Sequence, residues 1–133
     1  MKTIILYLTA TVLFFAIDML WLGLIARNFY KAKLGFIMSP NINWAAAIIF
    51  YLLYIAGILY FAVQPGLKEE SLPLALLNGA LLGFLCYITY DLTNMATIAN
   101  WPIAIVIVDV LWGTFLTGTV AALTFFIYTR FFA

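Results

Sequence analysis

Three aspartates carry most of the chemistry open to this sequence. Asp18, Asp91 and Asp109 each stand inside or at the edge of a long apolar run. An ionised carboxylate deep in a bilayer costs about 2.5–3.5 kcal/mol on insertion scales, so such groups usually face a bundle interior or water and mark a function. There a carboxylate can hold a cation or a proton, or serve as general acid or base. The neighbours suit the first use. Tyr87, Tyr90, Asp91 and Asn94 recur at helical spacing and share one face. Asp18 shares its face with Trp21, and Asp109 with Trp112. Aromatic faces also attract organic cations. These eight residues form the candidate substrate-binding pocket, suited to a proton, a small cation, an amine-bearing solute or a polar head group. The competing reading is structural: the aspartates bond to tyrosine, threonine or indole donors and fix the register of a bundle. It is strongest for Asp91, which lies nearest an interface.

The sequence excludes other chemistry. It has no histidine, the commonest general base and metal ligand. Its one cysteine, Cys86, allows no internal disulfide and no cysteine metal cluster, and reads as an inert core residue. A net charge of +1 provides no footprint for nucleic acid. No nucleophile or cofactor motif is present, so a non-enzymatic protein without cofactor or metal is expected. Two other classes stay open. One is an enzyme or accessory of membrane-lipid modification, with carboxylates acting on a head group. The other is a structural subunit of a larger membrane complex.

The elements that must position the aspartates follow from composition. Hydrophobic residues make up 68% of the 133 and charged residues 8%, with a mean hydropathy of +1.17. Soluble domains carry roughly 25% charged residues, so the solvent here is a lipid bilayer. A span needs about 20 apolar residues. Four stretches qualify: 3–26, 43–63, 72–95 and 102–128. Backbone groups in hydrocarbon must bond internally, which selects helices. The fold expected over residues 1–133 is an all-α membrane domain, a bundle of four transmembrane helices. The first run is too long for a signal h-region and contains Asp18, so it reads as a retained helix.

Residues 27–42 and 64–71 read as loops, with Ser71 capping the third helix. Asn100 reads as the cap of the fourth, ahead of Pro102 in its first turn. Trp44 and Trp101 open helices on one face, as an aromatic belt does. Asp18 lies nine residues before Arg27, about 13 Å below that end, and Asp109 seven after Pro102, about 10 Å below the same face. Asp91 belongs to the same half, so three helices supply acids to one layer. Lys2, Lys68 and Arg130 fall on one side and Arg27, Lys31 and Lys33 on the other. This even count is compatible with cytoplasmic termini and with a dual-topology, antiparallel homodimer. Arg27, Lys31 and Lys33 read as snorkelling to lipid phosphates. Asn78 lies deeper and reads as a bond across helices.

Gly79-x-x-x-Gly83 and the series Gly113, Thr117, Ala121 are close-packing faces, read first as joining helices three and four of one chain. A faint repeat aligns Asp18-Met19 with Asp91-Leu92 and Asn43-Trp44 with Asn100-Trp101, which would make the bundle two repeated helical hairpins.

Asp18-x-x-Trp21-Leu22-Gly23, Phe29-Tyr30, Thr89-Tyr90-Asp91-Leu92-Thr93-Asn94, Asn100-Trp101-Pro102 and Asp109-x-x-Trp112-Gly113 carry a family resemblance. On these residues the chain resembles an uncharacterised bacterial membrane family, the domain of unknown function 2177, over nearly its whole length. The resemblance implies a four-helix protein of the bacterial inner membrane and assigns no catalytic residue. In size and in its helix-one carboxylate the chain also looks like small multidrug-resistance transporters. It departs from them in having aspartate where they have glutamate, and in the further carboxylates of helices three and four.

Overall fold

The computed structural model describes all 133 residues and is helical throughout. Helix α1 (Lys2–Leu20) ends in one wider π turn over Trp21–Ile25. A short α2 (Arg27–Leu34) follows. Helix α3 (Trp44–Ile58) passes through a second π turn, Leu59–Val63, into α4 (Gln64–Lys68). The chain then forms α5 (Leu72–Thr97) and α6 (Ile103–Phe131). Four continuous helical rods result, Lys2–Ile25, Trp44–Lys68, Leu72–Thr97 and Ile103–Phe131, of 24, 25, 26 and 29 residues. At about 1.5 Å per residue each exceeds a hydrocarbon core of about 30 Å. Only 28 of 133 residues are buried, and leucine, isoleucine and phenylalanine cover much of the outside. That surface fits lipid on every side, and the protein is an integral membrane protein.

The interior follows an every-fourth-residue ridge on two helices. On α1 the buried residues are Leu6, Ala10, Phe14 and Asp18. On α5 they are Ala75, Gly79, Gly83 and Asp91, with Tyr87 partly buried in the same register. Residues four apart stack on one face of a helix, so the packing that buries Phe14 and Gly83 also turns Asp18 and Asp91 inward. Helices α5 and α6 form the most extensive interface. Lipid tails supply no hydrophobic drive between helices, so close approach through small residues replaces it. A Cβ added to Gly79 would lie 2.7 Å from Ala121 Cβ, and one on Gly83 2.8 Å from the Thr117 side chain. The small-residue faces therefore join two helices of one chain, as the spacing predicts. Leu6, Phe14, Ile55, Ile58, Leu116 and Val120 fill the space where α1, α3 and α6 meet.

Five local expectations are corrected. Residues 27–42 are not all loop: α2 turns Phe29, Tyr30 and Leu34 against Trp101, Ile105 and Val106 and leaves Arg27, Lys31 and Lys33 exposed. Its basic last turn complements the helix dipole. Residues 64–68 are helical too. Pro65 cannot donate to the carbonyl four residues back, and the π turn ahead of it gives its ring room while the rod continues. Asn100 is no cap; Pro102 holds that position, and Asn100 takes the left-handed backbone (φ 64°) that asparagine tolerates better than most residues. That bend turns Trp101 inward, so Trp44 stays exposed but Trp101 leaves the belt and is buried. Cys86, expected in the core, is exposed and borders a cavity. Ser71 does cap α5, accepting from the Leu74 N–H at 3.1 Å.

Candidate functional site

A cavity of about 520 Å³ lies among α1, α2, α3, α5 and α6, toward the α2 end of the bundle. Drug-sized and cofactor sites fall in the same size class, about 300–1,000 Å³. Two carboxylates line it, Asp18 from α1 and Asp109 from α6. Its remaining walls are largely aromatic, with Trp21, Tyr51, Tyr54, Tyr87, Tyr90 and Trp112 among them.

Each carboxylate is oriented by neutral donors. Tyr51 O–H donates to Asp18 Oδ2 and Trp112 Nε1–H to Asp18 Oδ1, both at 3.3 Å. Tyr30 O–H donates to Asp109 Oδ1 at 2.9 Å and accepts from Trp21 Nε1–H at 3.3 Å. The two indoles stack, with ring centroids 4.5 Å apart and planes 10° apart. A continuous polar chain thus runs from Trp21 through Tyr30 to Asp109, tied by that stack to Trp112 and Asp18. Tyr30 stands on α2, outside the spans. Burial first, and then the Asp109 charge, push its phenol above the usual 10.0. It therefore remains a neutral donor across the physiological range.

Donors of this kind orient a carboxylate and leave its charge unmatched. No ion pair serves Asp18, since the groups acting on it are Trp112, Tyr51 and the like-charged Asp109. Arg27 is exposed and is not among the residues lining the cavity. Two carboxylates without counter-ions, in a cavity of π faces, suit an organic cation: the charge goes to the acids and the apolar body to the rings.

The eight residues expected from sequence divide. Asp18, Trp21, Tyr87, Tyr90, Asp109 and Trp112 line the cavity. Asp91 does not. It is fully buried behind the wall, beside the Asp109 carboxyl and the Trp101 indole. Neither of its oxygens nor Trp101 Nε1 has a hydrogen-bond partner. Asn94 lies a turn nearer the third loop, half-buried and outside the lining. Two of the three aspartates thus line the cavity, and the third lies beside one of them.

Sequence reasoning missed Tyr30, Tyr51, Tyr54, Leu34 and Trp101 as lining residues. Tyr51 and Tyr54 share a face three residues apart, but on a helix apolar all round, which marks no face as inner. Tyr30 was recoverable only as part of the Phe29-Tyr30 motif. Tyr54 is fixed by a 2.7 Å hydrogen bond with Thr117 Oγ1. Tyr87 occupies space that only glycine at 113 leaves, because a Cβ there would overlap its ring.

Fold and site together define a four-span membrane protein with an acidic, aromatic-walled cavity near one face. Residues 3–126 match the family described as predicted membrane protein, domain of unknown function 2177. The chain belongs to that family, as its motifs imply. No curated protein and no solved structure matches the chain.

Proposed function

We propose that this protein binds an organic cation with an apolar body and carries it across a bacterial inner membrane. One observation supports the reading most: two carboxylates without cationic partners open onto a cavity otherwise walled by aromatic and aliphatic groups. Asp18 and Asp109 provide the charge, held in place by Trp112, Tyr51 and Tyr30. Trp21, Tyr87, Tyr90 and Trp112 provide the π faces.

Tetraphenylphosphonium is the suitable probe, because its charge does not vary with pH. Titrated into protein in lipid nanodiscs, with empty nanodiscs as the reference, it should bind saturably. Asp18→Asn and Asp109→Asn should each weaken binding about tenfold or more, the effect of losing roughly 1.4 kcal/mol of attraction. The double variant should abolish both binding and pH-gradient-driven uptake into liposomes. Unchanged affinity in the double variant would remove this reading.

A further inference from the structure

Behind the cavity, three polar atoms stand without partners at one place. They are Asp91 Oδ1, Asp91 Oδ2 and Trp101 Nε1. Asp91 is 0% exposed and Trp101 7%. Buried polar side chains are nearly always hydrogen-bonded, so a cluster of orphans calls for a missing component. Besides Trp101, the group facing Asp91 is the carboxyl of Asp109, itself an acceptor. No cation acts on Asp91 from any element around it: Asp109 comes from α6, Trp101 from the loop before α6, Tyr30 from α2, and Tyr90 from α5 itself.

We infer that Asp91, Asp109 and Trp101 together hold one exchangeable proton, forming a proton site directly behind the cation cavity. A single proton on Asp91 supplies the donor that two facing carboxyls lack. The Asp91 O–H donates to Asp109, and the neighbouring Trp101 indole is the donor available to the other Asp91 oxygen. Two carboxylates in contact do not both ionise, so one proton is shared. It sits on Asp91 because Asp109 already accepts from Tyr30 O–H at 2.9 Å, and a donor favours the charged form. Asp109 keeps the charge and faces the cavity; Asp91 keeps the proton and does not.

The site then couples two ligands, a step that rests on the cation-binding reading. When a cation pairs with Asp109, the Asp91 proton leaves to water. One positive charge replaces another and no other bond changes. Cation and proton oppose each other, so cation affinity rises with pH by at most about tenfold per unit.

Infrared difference spectroscopy tests the proton site without any cation. The protein in nanodiscs at neutral pH should show a protonated-carboxyl C=O stretch. The band should shift when aspartate is labelled with 13C, which separates it from Glu69 and Glu70. It should disappear in Asp91→Asn. In Trp101→Phe it should move to higher frequency, as the C=O loses its donor; this second variant decides the matter if Asp91→Asn does not fold. Saturating tetraphenylphosphonium should bleach the band. A folded wild-type protein with no such band, or a band that Asp91→Asn and Trp101→Phe leave unchanged, overturns the proton site. Cation binding at Asp18 and Asp109 would survive that result. Failure of the probe to bind with the band intact would instead remove the cation reading and the coupling, and leave the proton site standing.

Discussion

Tyr30 shows how one side chain ties a peripheral helix to the site. Its hydroxyl donates to Asp109 and accepts from Trp21, so α2, α6 and the π turn of α1 meet at one oxygen. A hydrogen bond to a charged group contributes about 1.5–3 kcal/mol. Tyr30→Phe should lower stability by that order, measured by thermal unfolding in one detergent. The pH dependence has a definite sign. Burial and Asp109 raise the folded-state value above the unfolded 10.0, so folding favours the neutral phenol. The advantage of wild type over Tyr30→Phe should be constant below about pH 10 and shrink as pH rises through Tyr30's own ionisation. An advantage that stays level at all alkaline pH would mean that the phenol proton contributes nothing.

At the scale of elements, the α5–α6 contact both holds the bundle and shapes the cavity wall. Tyr87 lies over Gly113, and Gly83 faces Gly113 and Thr117 from the other helix. Gly113→Ala would drive a Cβ into the Tyr87 ring. Overpacking of this kind costs about 1–3 kcal/mol. The variant should lose that much stability and also bind tetraphenylphosphonium more weakly, since Tyr87 is part of the wall. Gly23 is the control: a Cβ there meets nothing within 4 Å, so Gly23→Ala should stay within about 0.5 kcal/mol of wild type. Equal losses from both would refute the packing argument.

The same elements explain what could be read from sequence. The spans and the α5–α6 small-residue faces were legible because length, apolarity and four-residue spacing report them directly. That aspartates in apolar runs turn inward was legible too, but the ridge that each prolongs by one turn is visible only in the structure, and Asp91, read as nearest an interface, is the more deeply buried of the two. Helix α2 was not legible, because it is only eight residues long and Arg27, Lys31 and Lys33 interrupt its four apolar ones. The inner face of α3 was not either, since nearly every side chain on it is apolar and nothing separates lipid from core. Trp101 was misplaced because its direction depends on one left-handed residue, Asn100.

At the scale of the molecule, lipid surrounds four rods that bury apolar side chains toward one end and hold the acidic cavity toward the other. The first end holds Leu6, Val63 and Val120 at 0% exposure. The other holds the cavity, with unmatched carboxylate charge. A cation entering that cavity binds the folded bundle and not the unfolded chain, so it must raise stability by mass action. At a hundredfold excess over Kd the gain is about 2.7 kcal/mol. Tetraphenylphosphonium should therefore raise the Tm of wild type in proportion to the logarithm of its concentration. The double variant Asp18→Asn, Asp109→Asn should show no such rise. Its Tm without probe should lie close to that of wild type: at position 18 Trp112 can still donate to the amide oxygen and Tyr51 can accept from the amide N–H, at position 109 Tyr30 can still donate to the amide oxygen, and the repulsion between the two acids is gone. A probe that raises both Tm values equally would be acting on the bilayer and not on the two carboxylates.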